Sequence, residues 1–555
     1  MSNPRDEALE TASLQGSDLS DELRPPDQTA GTGVGDFTEP LDVEAGTIAT
    51  QVAEGRTRFG DRFSLGGRSL KQHTARGVII NSSFQIGLIS LNLLQRLTVA
   101  AVLTLSEFGF WGLLVTSLAT LAWLKEVGIS DKYIQQDEPD QTAAFQKAFT
   151  FELLYSMLFY LICAAALPVY AQIFERPEII VPGLVLCLQL PLGALMSPVW
   201  IFYRRMQFAR QRTILAVGPI LSTAVTVGMA VAGAGYWSLI VGSVLGTAIG
   251  AAIAVAMTPY PLRLRFERGT LGEYFRFSWP LFLNSLAGLI AVQGAVIIGN
   301  YTVGLVGIAA IGLAGNFAQF VNKVDTVIKQ TMYPAVCAVK ERREALHEAF
   351  VKSNRLGMMW GLPFGIALAL FGPDLVTFAL GEKWRIAEPL LQAFGLILGA
   401  NQVAFNWTLF MRALDWTWPI ALEGLVALLM FGAVTVPLML TMGLSGYAIG
   451  AAAIAVGQLV LRGWYLSRLF AGFNLLGHMV RALAPSVPAV AAVLAIRAIE
   501  GTERTLGLAL AEIALYAIVT ALATWAFERD LLREVRGYLR RVHPSAAQPS
   551  PAPAP

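Results

Sequence analysis

Long apolar runs alternate with short polar segments along most of this chain, from residue 75 to residue 528. Each run is close to the length of α-helix, about 20 residues, that crosses about 30 Å of hydrocarbon. Fourteen such runs are present, and we predict a membrane-spanning helix for each. They cover residues 77–98, 108–127, 148–169, 179–202, 213–233, 236–257, 278–299, 303–322, 357–379, 388–410, 418–441, 444–466, 482–499 and 506–527.

The composition supports a membrane protein, since 55% of the residues are hydrophobic and only 14% are charged. Soluble domains carry about 25% charged residues. A β-barrel would show short alternating segments instead of these runs. We therefore predict an all-α polytopic membrane protein. The three cysteines and four histidines show no metal-ligand spacing, and neither a metal nor a cofactor is predicted.

The distribution of lysine and arginine predicts the orientation of the spans, because cytoplasmic loops carry an excess of these residues. With both termini in the cytoplasm, most of the cations fall on the cytoplasmic side. The opposite side receives only Arg96, Arg176, Lys383, Arg385, Arg497 and Arg504. Residues 1–70 are acidic and lack an apolar signal-peptide core, so we expect a disordered cytoplasmic tail. Residues 529–555 form a second cytoplasmic tail, rich in proline and alanine.

A weak internal repeat divides the spans into two halves. Asn81-Ser82 recurs as Asn284-Ser285, and the Gly-Tyr pair at 235–236 recurs at 446–447. These offsets predict a six-helix lobe at 75–257, a second at 258–470, and two extra helices at 478–528. Parallel repeats around a central site are a transporter design, although chance similarity among Gly-rich apolar helices is the alternative.

The first span carries a stripe of polar residues on one helical face. A polar stripe in a membrane helix faces protein or a cavity. The functional interpretation is the wall of a hydrophilic cavity, and the structural one is hydrogen bonding between helices. Arg96 lies near the outer end of the span, where it could also snorkel to the surface or pair with Glu107. The stripe consists of Asn81, Gln85, Asn92 and Arg96.

Further polar residues extend this candidate site into the second half of the chain. Asn284 is the repeat mate of Asn81, and Asn316 and Lys323 share a face near the end of the eighth span. Glu423 and Glu152 lie in apolar runs, where a carboxylate could bind a coupling proton or Na⁺, or lie at the membrane interface. Glu512 is in a peripheral span, and we assign it a structural role.

Several short motifs occur in a consistent order, and together they are similar to a known family. They are QRL at 95–97, LSEFGFW at 105–111, EVGIS at 126–130, YIQQ at 133–136, RRMQF at 204–208, GAGYWSL at 233–239, MYPA at 332–335 and LGEKW at 380–384. With them the chain resembles the polysaccharide-transport family, the Wzx-like oligosaccharide flippases of the MOP exporter superfamily. One departure is the stretch QGAVIIG at 293–299, which lacks the acid that relatives often carry there.

The resemblance implies a MOP/MATE-like fold of two six-helix lobes and two C-terminal helices. It also implies alternating-access movement of polyprenyl-pyrophosphate-linked oligosaccharide across the bacterial inner membrane, for surface polysaccharide biosynthesis. A polysaccharide polymerase or other assembly proteins are compatible partners, whereas nucleic acid is not implied. The alternative is a MATE-like ion-coupled exporter of small molecules. No large hydrophilic domain lies between the predicted spans, so we do not expect an enzyme.

Overall fold

All the predicted spans except the one at 108–127 appear as helices in the computed structural model, and the part of the chain that it describes contains no β-strand. It describes residues 70–104, 107, 110, 111, 114, 124–173, 175–470, 473–499 and 504–540. The predicted tail at 1–70 thus lies almost wholly outside the described residues, as do 541–555 and most of the predicted span at 108–127. The described residues form one compact unit.

The first predicted lobe contains the helices that precede residue 257. α1 is 33 residues long and therefore spans about 50 Å, more than the hydrocarbon core requires. The fourth predicted span is divided into three short helices after a 3-10 turn. The helices are α1 (Leu70–Val102), α2 (Ile129–Gln135), α3 (Gln141–Ile173), α4 (Ile180–Cys187), α5 (Gln189–Ala194), α6 (Val199–Arg204), α7 (Phe208–Val231) and α8 (Trp237–Ala256).

The helices of the second predicted lobe and the C-terminal helices follow along the chain. Two π-helical segments, Val376–Leu380 and Phe431–Thr435, lie close to Pro373 and Pro437, whose missing N–H groups interrupt the regular hydrogen bonds. The helices are α9 (Arg268–Thr302), α10 (Gly304–Ala318), α11 (Lys323–Val339), α12 (Arg343–Leu375), α13 (Glu388–Asn401), α14 (Trp407–Ala413), α15 (Trp418–Met430), α16 (Val436–Met442), α17 (Leu444–Leu469), α18 (Leu475–Leu483), α19 (Val487–Ile499), α20 (Leu506–Phe527) and α21 (Arg529–Arg540).

Ten helical segments in the described part are long and apolar enough to cross a membrane. The protein is therefore an all-α, multi-pass membrane protein, as predicted. The count of fourteen spans agrees with the helix positions but stays a prediction, as do the lobe boundaries at 257–258 and 470–478. Ion pairs and hydrogen bonds bring several of the connecting segments together at one end of the bundle. We call the end that holds residues 124–140, 204–208, 340–343 and 413–418 the basic end.

Small residues bring neighbouring helices into close contact within each lobe. A Cβ atom at Gly365 of α12 would lie 2.4 Å from the Gly395 carbonyl oxygen of α13, so only glycine fits there. Gly246 of α8 approaches the Gly218 carbonyl oxygen of α7 in the same way, at 2.6 Å. Membrane helices lack a strong hydrophobic drive to associate, and close backbone approach through small residues supplies van der Waals contact instead.

The C-terminal helices are joined to the second lobe by a cluster of four charges whose two carboxylates are buried. Arg497 of α19 and Arg504 bind both Glu512 of α20 and Asp374 of α12, with N···O distances of 2.9 Å from Arg497 Nε to Glu512 and 2.7 Å from Arg504 Nη2 to Glu512. Glu512 is only 2% exposed, and Asp374 is 5% exposed. The structural role that we predicted for Glu512 is consistent with these ion pairs.

Candidate functional site

Arg212 of α7 joins helices of both predicted lobes near the basic end. Its Nε donates to Asn81 Oδ1 of α1 at 2.6 Å, and its Nη2 donates to Gln330 Oε1 of α11, also at 2.6 Å. Asn81 is fully buried, and its Nδ2 donates to Thr331 Oγ1 of α11 at 2.7 Å. One guanidinium and one amide therefore link the first lobe to α11 of the second. We call these four residues the lobe latch.

Ion pairs extend this contact around the loops of the basic end. Asp131 of α2 pairs with Arg412 of α14 at 2.7 Å, and Lys132 of α2 pairs with Asp415 at 2.8 Å. Each of the two segments therefore contributes one acidic and one basic residue. Lys340 of the turn after α11 pairs with Asp137 at 2.7 Å. Lys132 is buried, and the other groups are partly exposed. The contact is polar at the rim, which allows the same groups to exchange protein partners for water.

The short helix α2 is held in place for these ion pairs by Arg204. This buried arginine donates from Nη1 to the carbonyl oxygens of Tyr133 and Ile134, at 2.8 and 2.6 Å. Helix C-termini leave carbonyl groups without partners, and a cation is well placed there. At the other end of α2, Gly128 has φ 75°, a left-handed conformation that glycine adopts without strain. The RRMQF motif thus contacts the YIQQ motif, and the EVGIS motif supplies the start of the same helix.

A buried ion pair lies inside the second lobe. Glu423 of α15 is 5% exposed and accepts from Arg462 of α17, with the Arg462 Nε to Glu423 Oε1 distance at 2.7 Å. Its other oxygen accepts from Trp407 Nε1 at 3.1 Å, and Arg462 Nη1 also donates to the Asn401 carbonyl oxygen at 3.2 Å. The carboxylate is therefore neutralised and hydrogen-bonded on both oxygens.

α11 carries a second pair of charged residues, Asp325 and Lys329, one helical turn apart. Asp325 is 3% exposed, and its Oδ1 has no hydrogen-bond partner among the described contacts. Lys329 Nζ lies 5.3 Å from the centre of the Phe405 ring, within electrostatic range of Asp325, Arg462 and Glu423. α11 therefore presents Asp325 and Lys329 to its own lobe, while the adjacent Gln330 and Thr331 bind the first lobe.

In the structure, the residues of the polar stripe that we predicted on the first span lie in different environments. Asn81 bonds across the lobes, and Gln85, one turn further, is half-buried. Asn92 is exposed and donates to the Leu88 carbonyl oxygen of its own helix at 2.8 Å. Arg96 lies in α1, but its side chain is outside the described residues, so its cavity and snorkelling interpretations both stay open.

The remaining predicted residues are dispersed. Asn284 packs against α15, since a Cβ atom at Gly424 would lie 2.7 Å from Asn284 Oδ1. Asn316 and Lys323 are exposed, and Lys323 Nζ lies 5.7 Å from the Phe320 ring centre. Glu152 accepts from Lys125 Nζ at 2.6 Å. Only Asn81 therefore reaches the lobe latch, and of the two acids only Glu423 joins the charges of the second lobe.

Sequence reasoning missed Arg212, Asp325 and Arg462 as site residues. It assigned Arg212 and Arg462 to the positive cytoplasmic loops, whereas both lie within helices and bind buried partners. The signal that was available for Arg462 is its position in the apolar run of α17, complementary to Glu423 in the apolar run of α15.

Comparison with known proteins shows the family to which this chain belongs. The profile of a family described as polysaccharide biosynthesis protein matches residues 98–389, more than half of the chain. The succinoglycan biosynthesis transport protein ExoT of Rhizobium meliloti (strain 1021) is 22% identical over 303 residues, which are 54% of this chain and 61% of that protein. The chain thus matches less than two thirds of this relative's length.

Solved structures with the same fold are MOP-superfamily transporters. A MATE crystal structure in complex with MaD5 superposes with a TM-score of 0.61 at 15% identity, covering 74% of this chain and 98% of that one. A MOP superfamily transporter from Pyrococcus furiosus, described as having a binding pocket of reverse polarity, gives a TM-score of 0.60 at 16% identity and covers 75% and 98%. At these identities the likeness shows the fold.

Proposed function

Because this chain belongs to the polysaccharide biosynthesis protein family, as a Wzx-like member of the MOP exporter superfamily, we propose that it is a flippase for lipid-linked oligosaccharide. The substrate would be a polyprenyl-pyrophosphate-linked glycan, moved from the cytoplasmic to the outer leaflet of the bacterial inner membrane. Family and fold support a membrane transporter. The finer assignment of substrate and direction is our proposal.

The observation that carries this proposal is the polar contact between the lobes at the basic end. The lobe latch and the ion pairs of Asp131, Lys132 and Lys340 join the lobes through groups that also bind water well. If this end lies in the cytoplasm, as the excess of lysine and arginine in the predicted cytoplasmic loops favours, these contacts would close the path toward the cytoplasm. Breaking these contacts would open the path on that side, which is what alternating access requires.

The chemistry of the substrate fits a path between two lobes. A pyrophosphate is multiply anionic and a glycan is hydrated, so neither crosses hydrocarbon unaided, whereas the prenyl chain can remain in lipid. Arginine suits phosphate through its planar pair of N–H donors. We retain Arg96, with Gln85, Asn92, Asn316 and Lys323, as cavity candidates. Asn81 is reassigned to the lobe latch, and Asn284 to packing against α15.

Any ion coupling is assigned here to Asp325 rather than to Glu423 or Glu152. Glu423 is neutralised by Arg462, and Glu152 by Lys125. Asp325 is buried with an oxygen that has no partner among the described contacts, and it lies less than two helical turns from the residues that bind the first lobe. A proton or small cation bound there would act on the helix that forms the latch.

The test of the proposed function is the lipid-linked species that accumulates when the protein is removed. We expect a deletion strain to lose external glycan and to accumulate a polyprenyl-pyrophosphate-linked oligosaccharide, identified by mass spectrometry. Unchanged lipid-linked intermediates with normal surface glycan would refute the proposal. Drug sensitivity on deletion, with intact glycan, would instead favour the MATE-like small-molecule exporter.

Arg96 provides a residue-level prediction of this function. Arg96→Ala should lower glycan export about tenfold or more, since a hydrogen bond to a charged group contributes about 1.5–3 kcal/mol. Arg96→Lys should retain part of the export, because it keeps the charge but loses the bidentate geometry. Export is measured at equal amounts of membrane-inserted protein. Full export by Arg96→Ala would leave only the snorkelling interpretation.

A further inference from the structure

A groove with one charged and one apolar end lies between α12, α18 and α20. Arg355, Arg481 and Glu528 line its charged end, and Met358, Met359 and Pro485 line its apolar part. Arg355 binds Glu528 through its guanidinium, with Nε 3.2 Å from Glu528 Oε1. Arg481 is exposed and has no carboxylate partner among the described contacts, so the three ionisable groups leave one net positive charge.

Two amphipathic helices indicate that the charged end lies at the level of lipid headgroups. α18 leads into the membrane helix α19 and carries Arg481, and α21 follows directly after Glu528. Arg529, Arg533 and Arg536 are exposed at spacings of four and three residues, on one face of α21. Amphipathic helices with cationic polar faces lie in the plane of the membrane interface. The groove therefore begins where phosphate groups are found and continues toward the acyl chains.

The length of α12 also indicates that the charged end of the groove lies at the level of the lipid headgroups. This helix has 33 residues and is about 50 Å long, whereas the hydrocarbon core is about 30 Å thick. Arg355 lies twelve residues after the helix start at Arg343, or about 18 Å along the axis, just before the apolar stretch that contains Met358 and Met359. The charged end of the groove is thus near the boundary between headgroups and hydrocarbon at the basic end.

We propose that this groove binds an anionic phospholipid. Its phosphate would contact Arg481 and Arg355, and one acyl chain would lie over the half-buried Met359, since Met358 and Pro485 are themselves buried. Glu528 fixes the Arg355 guanidinium, while the unpaired Arg481 supplies the net charge that selects an anionic headgroup. Basic pockets between membrane helices on the cytoplasmic side bind such headgroups. This site is separate from the proposed transport path and does not depend on the transported substrate.

The experiment measures lipid binding to the full-length purified protein by native mass spectrometry. Phosphatidylglycerol and phosphatidylcholine are titrated separately, and inorganic phosphate is added as a competitor. We expect phosphatidylglycerol to bind more tightly than phosphatidylcholine. Arg481→Gln should weaken phosphatidylglycerol binding about fivefold, which corresponds to about 1 kcal/mol per arginine at an anionic surface. Arg481→Lys should retain most of the binding.

Two further variants distinguish a specific site from general attraction. Arg468→Gln is the matched control, because Arg468 is also an exposed arginine near the basic end but stacks on Trp464, 3.9 Å from its ring centre. Met359→Trp should weaken binding by filling the apolar part while leaving every charge in place. Equal loss in Arg481→Gln and Arg468→Gln, equal binding of both lipids, or displacement of the lipid by millimolar phosphate alone would each overturn the proposal.

Discussion

Replacing Arg212 with alanine is expected to open the basic end of the bundle. The variant loses hydrogen bonds from a charged group to Asn81 and Gln330, each worth about 1.5–3 kcal/mol, and leaves the buried Asn81 oxygen without a donor. A loss of about 3 kcal/mol changes an equilibrium between closed and open forms by about a hundredfold. Transport should fall with it, because alternating access needs both forms.

Opening of the basic end can be measured by the rate at which the buried thiol of Cys337 is labelled. Cys337 lies in α11 and packs in a core that includes Tyr133 and Ile201 of the first lobe. With Cys163 and Cys187 replaced by serine, a membrane-impermeant maleimide should label it much faster after Arg212→Ala. Arg210→Ala is the matched control, since Arg210 lies on the same turn but stacks on Phe202 within the first lobe. Equal labelling of Arg210→Ala and Arg212→Ala would contradict the latch.

Arg462→Ala is expected to be the most destabilising single substitution in the second lobe. It leaves the buried carboxylate of Glu423 without its cation, and removing one partner of a buried ion pair costs about 3–5 kcal/mol. The melting temperature in detergent should fall sharply. Arg468→Ala, on the same helix but with an exposed side chain, should change it little.

A double variant separates a structural role of this pair from a role in ion coupling. Arg462→Met combined with Glu423→Leu removes both charges, and well-packed apolar residues often replace a buried ion pair without loss of stability. If the pair is structural, the double variant should recover most of the stability and also transport. Recovered folding without transport would return Glu423 to the list of coupling residues and would count against Asp325.

Much of the fold was predictable because the bilayer restricts what a sequence can do. A run of about 20 apolar residues has few alternatives to a spanning helix, and the described helices overlap the predicted runs. Interior details were less predictable. The predicted span at 179–202 is divided into α4, α5 and α6, although hydropathy there is continuous. The segment contains Pro182, Pro191 and Pro198, each of which lacks a backbone N–H for the helical hydrogen bonds.

The candidate site was less predictable, because its contacts join residues that are far apart in the chain. Asn81 bonds to Arg212 and to Thr331, which follow it by 131 and 250 positions. The helical face of Asn81 could be derived from its sequence neighbours, but the helix that it faces could not. The repeat mates Asn81 and Asn284 illustrate the limit, since the first bonds between lobes and the second packs on Gly424 within one lobe.

Thermodynamic linkage relates ion binding on one face of α11 to the contact between the lobes on another. Asp325 lies on one face of this helix and Thr331, bonded to Asn81, lies on another, only six residues away. If occupancy of Asp325 changes the equilibrium between closed and open lobes by some factor, then opening must change the affinity of Asp325 by the same factor. The ion affinity of a permanently latched or unlatched variant would therefore report the strength of coupling without any measurement of transport.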